Sequence, residues 1–223
     1  MKKFICLFMA IIMLVSLCGC LGGTEDVRGD INSGSSNSDK PEAESKFSLG
    51  ETAANTYKND FLGISCTLPE GWTFYTDEQI MQLNNLVGDI AGEELASKLE
   101  NANIIYDMYA TNEGGYCNMN VNLEKLSAAQ LLNLDIKKSL ESQFDGIKSS
   151  YQNMGYTDIV LAYEKITVDG KEFDGITVNA KIQGVSFYST VFCFKKGTYL
   201  ANVTIACLQT DKIDTILDYF TIK

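Results

Sequence analysis

The chain has 223 residues, 45% hydrophobic, 21% charged and 10% aromatic, with 2 Pro, which excludes wholesale disorder and suffices for one domain of ordinary size. With 18 basic against 29 acidic residues the formal charge is −11, so phosphate neutralisation is closed to it and no nucleic-acid partner is expected. It contains no histidine, which excludes Ser-His-Asp and Cys-His catalysis and imidazole zinc sites.

Lys2 and Lys3 precede the apolar run Phe4 to Leu17. As a helix this run is about 21 Å long, short for a membrane span and of the length of a signal-peptide core. It ends in Leu17-Cys18-Gly19-Cys20, which resembles the lipobox of bacterial lipoproteins, although Cys18 stands where that pattern has a small residue. The resemblance implies a lipoprotein signal peptide over 1–19, cleavage before Cys20 and acyl chains, palmitate among them, on Cys20. Two or more acyl chains hold a protein on a bilayer where one does so marginally. The expected location is therefore the outer, extracytoplasmic face of the cell membrane, with the lipid on Cys20 as the membrane contact.

Residues 20–50 read as the lipidated cysteine and a flexible tether, since Gly22 to Lys46 is Gly, Ser, Asn, Asp and Glu with almost no large apolar residue. A coil of that length holds its ends on the order of 25 to 30 Å apart. Residues 51–223 form the domain. From residue 47 onward there are 23 acidic residues against 13 lysines, a formal −10. Anionic headgroups repel such a surface, so the anchor and not a basic face holds the membrane, and partners selected by charge are cationic or neutral.

Within the domain, Ile64, Cys66 and Leu68 alternate as a half-buried strand that runs into the turn Pro69-Glu70-Gly71 and Trp72. Thr76 and Gln79 have capping-box spacing, and Ile80, Leu83 and Val87 predict a helix over 77–87. Leu95 and Leu99 predict a second short helix behind Gly92. Ile104, Tyr106, Met108 and Ala110 then alternate, Asn112 to Gly115 turns, and Cys117, Met119, Val121 and Leu123 oppose Asn118, Asn120 and Asn122 across the next strand. Ser127 and Gln130 cap a long helical region with the stripe Ile136, Leu140, Phe144, Ile147, Tyr151 and Met154, ended by Gly155. Four strands follow, 157–168, 171–182, 185–195 and 198–208, whose connections are too short for anything but an antiparallel meander. Thr210 caps a final helix bearing Ile213, Ile216, Leu217 and Phe220.

This order predicts an α+β fold, a mostly antiparallel β-sheet flanked by helices on both faces. Asn59-Asp60-Phe61-Leu62-Gly63-Ile64, Leu68-Pro69, Gly71-Trp72, Val168-Asp169-Gly170 and Lys196-Gly197-Thr198-Tyr199 give residues 56–223 a resemblance to the PsbP-like α/β/α sandwich, a fold also found in DcrB-type lipoproteins. Members of that fold do different things, so the resemblance implies architecture and not activity.

Four cysteines lie in the domain, at 66, 117, 193 and 207, and outside the cytoplasm three disulfide pairings are open to them. Cys66, Cys117 and Cys207 fall on the apolar parity of their strands, where a thiol behaves as a small hydrophobe, so buried free thiols are the expectation. A turn at Lys196-Gly197 places Cys193 opposite a residue near 200, which opposes a Cys193–Cys207 bridge. No Cys-x-x-Cys, EF-hand or phosphate-loop spacing occurs in the domain, and no metal or cofactor is expected. Two polar rows are candidate binding surfaces: Asn118, Asn120 and Asn122 on one strand face, and Asp211, Asp214 and Asp218 on the final helix. Trp72, after a tight turn, reads as a core plug in preference to a ligand platform.

The functional expectation is a cell-surface, lipid-anchored, non-catalytic binding or accessory protein of the envelope. Its partner would be an envelope protein, peptide or glycan. The alternatives are a carboxylate-dependent extracytoplasmic enzyme, which needs two acids facing each other in a pocket, and a structural envelope-assembly protein, which needs an exposed apolar patch.

Overall fold

The computed structural model describes residues 47–85, 99 and 102–223. The signal peptide, Cys20, the tether to residue 46 and most of the second short helix expected around Leu95 lie outside the described residues. Leu99 is buried.

The strands are β1 (Glu51–Ala53), β2 (Thr56–Asn59), β3 (Ile64–Thr67), β4 (Trp72–Phe74), β5 (Ile104–Asn112), β6 (Cys117–Lys125), β7 (Tyr156–Val168), β8 (Lys171–Ile182), β9 (Val185–Lys196), β10 (Tyr199–Leu208) and β11 (Phe220–Ile222). They form two antiparallel sheets, four-stranded β1-β2-β3-β11 and seven-stranded β4-β5-β6-β10-β9-β8-β7. The four-strand meander is present almost residue for residue. Its β7–β8 turn is Asp169-Gly170, both at positive φ, as the two central residues of a tight hairpin require. The same turn holds the C-terminal strand: the Asp169 carboxylate accepts from Ile222 N–H at 3.1 Å, and Lys171 Nζ donates to Ile222 C=O at 2.7 Å.

The helices are α1 (Asp77–Leu83), α2 (Ala128–Leu132), α3 (Ile136–Ser142), α4 (Phe144–Asn153) and α5 (Ile213–Leu217). Both capping boxes form, Thr76 with Gln79 and Ser127 with Gln130. The single long helix expected after Ser127 is three helices. Asn133 caps the end of α2, and Asp135 starts α3 by accepting from Lys138 N–H at 3.0 Å, so local side-chain bonds take over from the helical ladder. Gln143 then separates α3 from α4. The last helix begins behind Lys212, not Thr210, and Phe220 belongs to β11, paired with Cys66 of β3.

Each face of the large sheet has its own core. On one side Met119, Val121, Leu123, Ala201, Val203 and Ile205 pack with Tyr57, Ile64, Ile216 and Phe220 from the small sheet and α5. On the other, Leu140, Ile147 and Tyr151 from α3 and α4 pack on Ile176, Val178, Phe187 and Leu200. Among the described residues, helices alone cover one face, whereas a second sheet with one short helix covers the other. Trp72 is half-buried against the first core, its ring edge-on to Tyr219.

The expectation of four free thiols is corrected by register. Cys117 and Cys207 are direct cross-strand partners in the β6–β10 ladder, and their sulfurs are bonded. Cys66 and Cys193 are free and buried, and burial pushes each thiol up to about 12. Cys193 faces Asn202, which keeps it from Cys207 as the turn position implied. A bridge closing a separation of 90 residues restricts the unfolded chain by about 4 to 5 kcal/mol in the loop-entropy account. Alkylation of the denatured, unreduced protein should therefore modify two domain cysteines and, after reduction, four. Cys117→Ser with Cys207→Ser should lower stability in urea by several kcal/mol, and four modified cysteines without reductant would exclude the bridge.

Candidate functional site

The site is built on a bulge in β5. The register between β5 and β6 shifts between Tyr106 and Met108, so Ile105, Met108 and Ala110 enter the core in place of the expected alternating set beginning at Ile104. Asp107 is the residue at the shift, and it is 6% exposed. Its carboxylate accepts from Gly50 N–H at 2.8 Å, Asn59 Nδ2 at 2.7 Å and the Tyr57 hydroxyl. All three donors are neutral.

Those donors explain the local sequence. Asn59 accepts from Leu62 N–H at 2.7 Å through Oδ1 while Nδ2 donates to Asp107, so one amide shapes the Asn59-to-Gly63 turn and holds it against β5. Gly50 must be glycine, because a Cβ there would lie 2.3 Å from the Tyr57 ring. Burial, opposed by the hydrogen bonds from Tyr57, Asn59 and Gly50, holds the Asp107 carboxyl above the ordinary carboxylate range. The Tyr57 hydroxyl is raised well above its usual value by burial and then by the neighbouring carboxylate.

A cleft of about 550 Å³ with Asp107 among its lining residues lies between β1, α1 and β5. Its wall is Leu49, Ile80, Met81, Leu99 and Met108, with the tilted ring pair Tyr75 and Tyr109, centroids 4.3 Å apart, on one side. Glu51 and Asp77 stand exposed at its edge. Asn84 secures α1 to the outer edge of β5 by taking Tyr106 N–H at 2.7 Å and donating to Tyr106 C=O at 2.8 Å, the bonds a neighbouring strand would otherwise make.

The two rows read from sequence lie elsewhere. Asn118, Asn120 and Asn122 are 5%, 2% and 7% exposed and do not present a surface. Asn202 Nδ2 donates to Asn122 Oδ1 at 3.2 Å, and Asn122 Nδ2 to Asn120 Oδ1 at 3.3 Å, so the row is part of a buried amide chain across β6 and β10. Asp211, Asp214 and Asp218 are exposed, and Asp211 accepts from Ile213 N–H at 3.0 Å at the start of α5. Among the described residues no group of three or more His, Cys, Asp or Glu side chains could hold a metal ion. Asp107 was missed because period-two counting across 104–110 assigns it to the solvent side. The usable signal was an acid inside the run Ile104-Ile105-Tyr106-Asp107-Met108-Tyr109.

No protein-family model matches the chain, and no curated protein does. Among solved structures it is similar to the solution structure of cyanobacterial PsbP (CyanoP) from Synechocystis sp. PCC 6803, with 11% sequence identity and a TM-score of 0.43 over 80% of this chain and 99% of that chain. Among the described residues no helix is long and apolar enough to cross a membrane.

Because the folded protein binds the Asp107 proton more tightly than the unfolded chain does, the associated stability is full below the ordinary carboxylate pKa and is lost as pH rises through the raised one. Urea midpoints measured against pH should fall across that window in the native protein and stay flatter in Asp107→Asn; parallel profiles would refute the assignment. Tyr57→Phe removes one of the three donors and should cost about 1 to 3 kcal/mol.

Proposed function

We propose that the protein is a lipid-anchored, extracytoplasmic binding module of PsbP-like α/β/α build, akin to DcrB-type lipoproteins, that takes a small ligand in the cleft that Asp107 lines. The cleft carries the reading: about 550 Å³ bounded by apolar and aromatic side chains with a few polar groups is the usual constitution of a small-molecule site. Export is supported by the signal-like run ending at Cys20 and by the Cys117–Cys207 bridge, since structural disulfides persist in oxidising compartments.

Binding is favoured over carboxylate catalysis by the state of the acids. A general acid/base pair needs two carboxyls aimed at one substrate, but Asp107 spends its oxygens on Gly50, Asn59 and Tyr57, while Glu51 and Asp77 stand in solvent. An assembly role needs a contiguous apolar patch. The large exposed hydrophobic residues among those described, Tyr116, Leu132 and Val160, lie on the β5–β6 turn, α2 and β7.

Two variants separate the anchor from the cleft. Cys20→Ala should move the protein from the membrane fraction to the soluble one and abolish its acyl mass; unchanged membrane retention would defeat the lipid anchor. Met81→Trp fills the cleft from α1, and native mass spectrometry of protein isolated from membranes should show its bound small molecules reduced about tenfold or more, the equivalent of losing about 1.4 kcal/mol of affinity. An unaltered set of bound molecules would place binding outside the cleft.

A further inference from the structure

We infer that the outer edge of β7 docks an extended segment of a partner protein, which adds to the large sheet as a further strand and sets a lysine or arginine opposite Glu164. This site is separate from the cleft, which lies beside β5 in the other half of the same sheet.

The fold keeps its sheet edges short, with one exception. Strands β1, β4 and β11 end their sheets with three residues each, whereas β7 ends the large sheet with 13. Short edge strands are one of the devices that keep a sheet from templating another chain, and β7 lacks it. From Val160 to Val168 it pairs with β8 residue for residue, a regular stretch bounded by the bulge after Thr157 and by the Asp169-Gly170 turn. A two-residue turn with both φ positive makes its flanking pair, Val168 and Lys171, a hydrogen-bonded one. Alternation from that pair turns the N–H and C=O groups of Leu161, Tyr163, Lys165 and Thr167 away from β8. Among the described residues no strand lies outside β7, and no turn or loop backbone bonds these groups. The full complement of such a row is another extended backbone.

Side chains on the edge select which backbone. Val160, Ala162 and Glu164 share one face of the strand, Val160 being 60% exposed and Glu164 exposed as well. Lys165, on the other face, is already matched, its ammonium 2.7 Å from Asp174. Glu164 accepts from the Thr177 hydroxyl at 3.4 Å, and no ammonium among the described residues pairs with it. The unmatched charge of the edge is therefore negative, and a cation directly opposite it on an added strand stabilises the pairing. A second copy of the chain does not supply one. Two-fold antiparallel pairing over residues 160–168 is centred on Glu164 and sets two like charges against each other, on domains that each hold 23 acidic residues against 13 lysines. Added in antiparallel sense, the partner segment carries its basic residue first and, four places later, an apolar residue against Val160.

The capped peptide Ser-Thr-Val-Thr-Lys-Thr-Tyr-Thr-Val, whose lysine falls opposite Glu164, tests this on the full chain by amide hydrogen exchange. Near saturation it should slow exchange about tenfold at Leu161, Tyr163, Lys165 and Thr167, and leave Ala162, Glu164 and Ile166, already bonded to β8, unchanged. Glutamate in place of the peptide's lysine should weaken binding about fivefold, and Glu164→Lys, a change at an exposed position, should reverse that preference. N-methylation of the two threonines beside the lysine removes donors aimed at β7 and should abolish binding. A general attraction between an acidic protein and a basic peptide would survive both N-methylation and Glu164→Lys, and that result overturns the inference. Protection at other amides, or at none, overturns it too, as does equal binding of the lysine and glutamate peptides. Protection of the same four amides that grows with the concentration of the free protein assigns the edge to a second copy, which also overturns it.

Discussion

The nine-residue ladder between β6 and β10 is the constraint on which the rest of the fold depends. It runs from Cys117↔Cys207 to Lys125↔Tyr199 and joins strands about 80 residues apart in the chain. Strands β4, β5 and β6 build one half of the large sheet, and the meander β7 to β10 builds the other. Without this pairing neither half has a complete face to bury. Residues of the ladder serve both cores at once, since Val121 and Val203 point toward the small sheet while Leu200 and Ala206 point toward α3 and α4. The disulfide fastens the ladder at the end away from the β9–β10 turn, and Leu126 N–H to Thr198 C=O at 2.9 Å closes it at the other.

The cleft is a by-product of how one edge of that sheet is finished. Strand β4 pairs only with Ala110, Thr111 and Asn112, so among the described residues the lower part of β5 has no strand outside it. Asn84 substitutes for the missing strand at Tyr106, and the bulge turns Asp107 toward the segment ahead of β1. Phe47, stacked on Tyr199 with centroids 4.8 Å apart, fixes that segment at its other end. A buried carboxyl group is thereby held in place by three neutral donors from the segment around β1 and β2.

Much of this was legible in the residues. Turn chemistry at Asp169-Gly170, Gly184 and Lys196-Gly197 locates the meander strands because such turns leave few backbone choices. Capping boxes mark helix starts for the same reason. Helix continuity was less legible: the apolar stripe from Ile136 to Met154 keeps its spacing through Gln143, and nothing in that spacing reports the interruption. Strand β11 was hidden because three residues, Phe220 to Ile222, are too few to show a period. The site was the least visible, since a bulge shifts parity by one, and its partners Gly50, Tyr57 and Asn59 come from about 50 residues away. Likewise the asparagine row has the alternation of a half-exposed strand, and only the tertiary arrangement tells that its polar side is inside.

Strand β11 has a consequence for how the polypeptide folds. It closes the small sheet against β3, and Lys223 N–H bonds Gly63 C=O at 2.8 Å, so β3 acquires its second neighbour from a strand about 150 residues further along the chain. The large sheet likewise depends on β10. Both layers therefore close through contacts between distant parts of the chain, and assembly of this kind is slow, because the entropy of closing a long loop is lost before the pairing that offsets it is made.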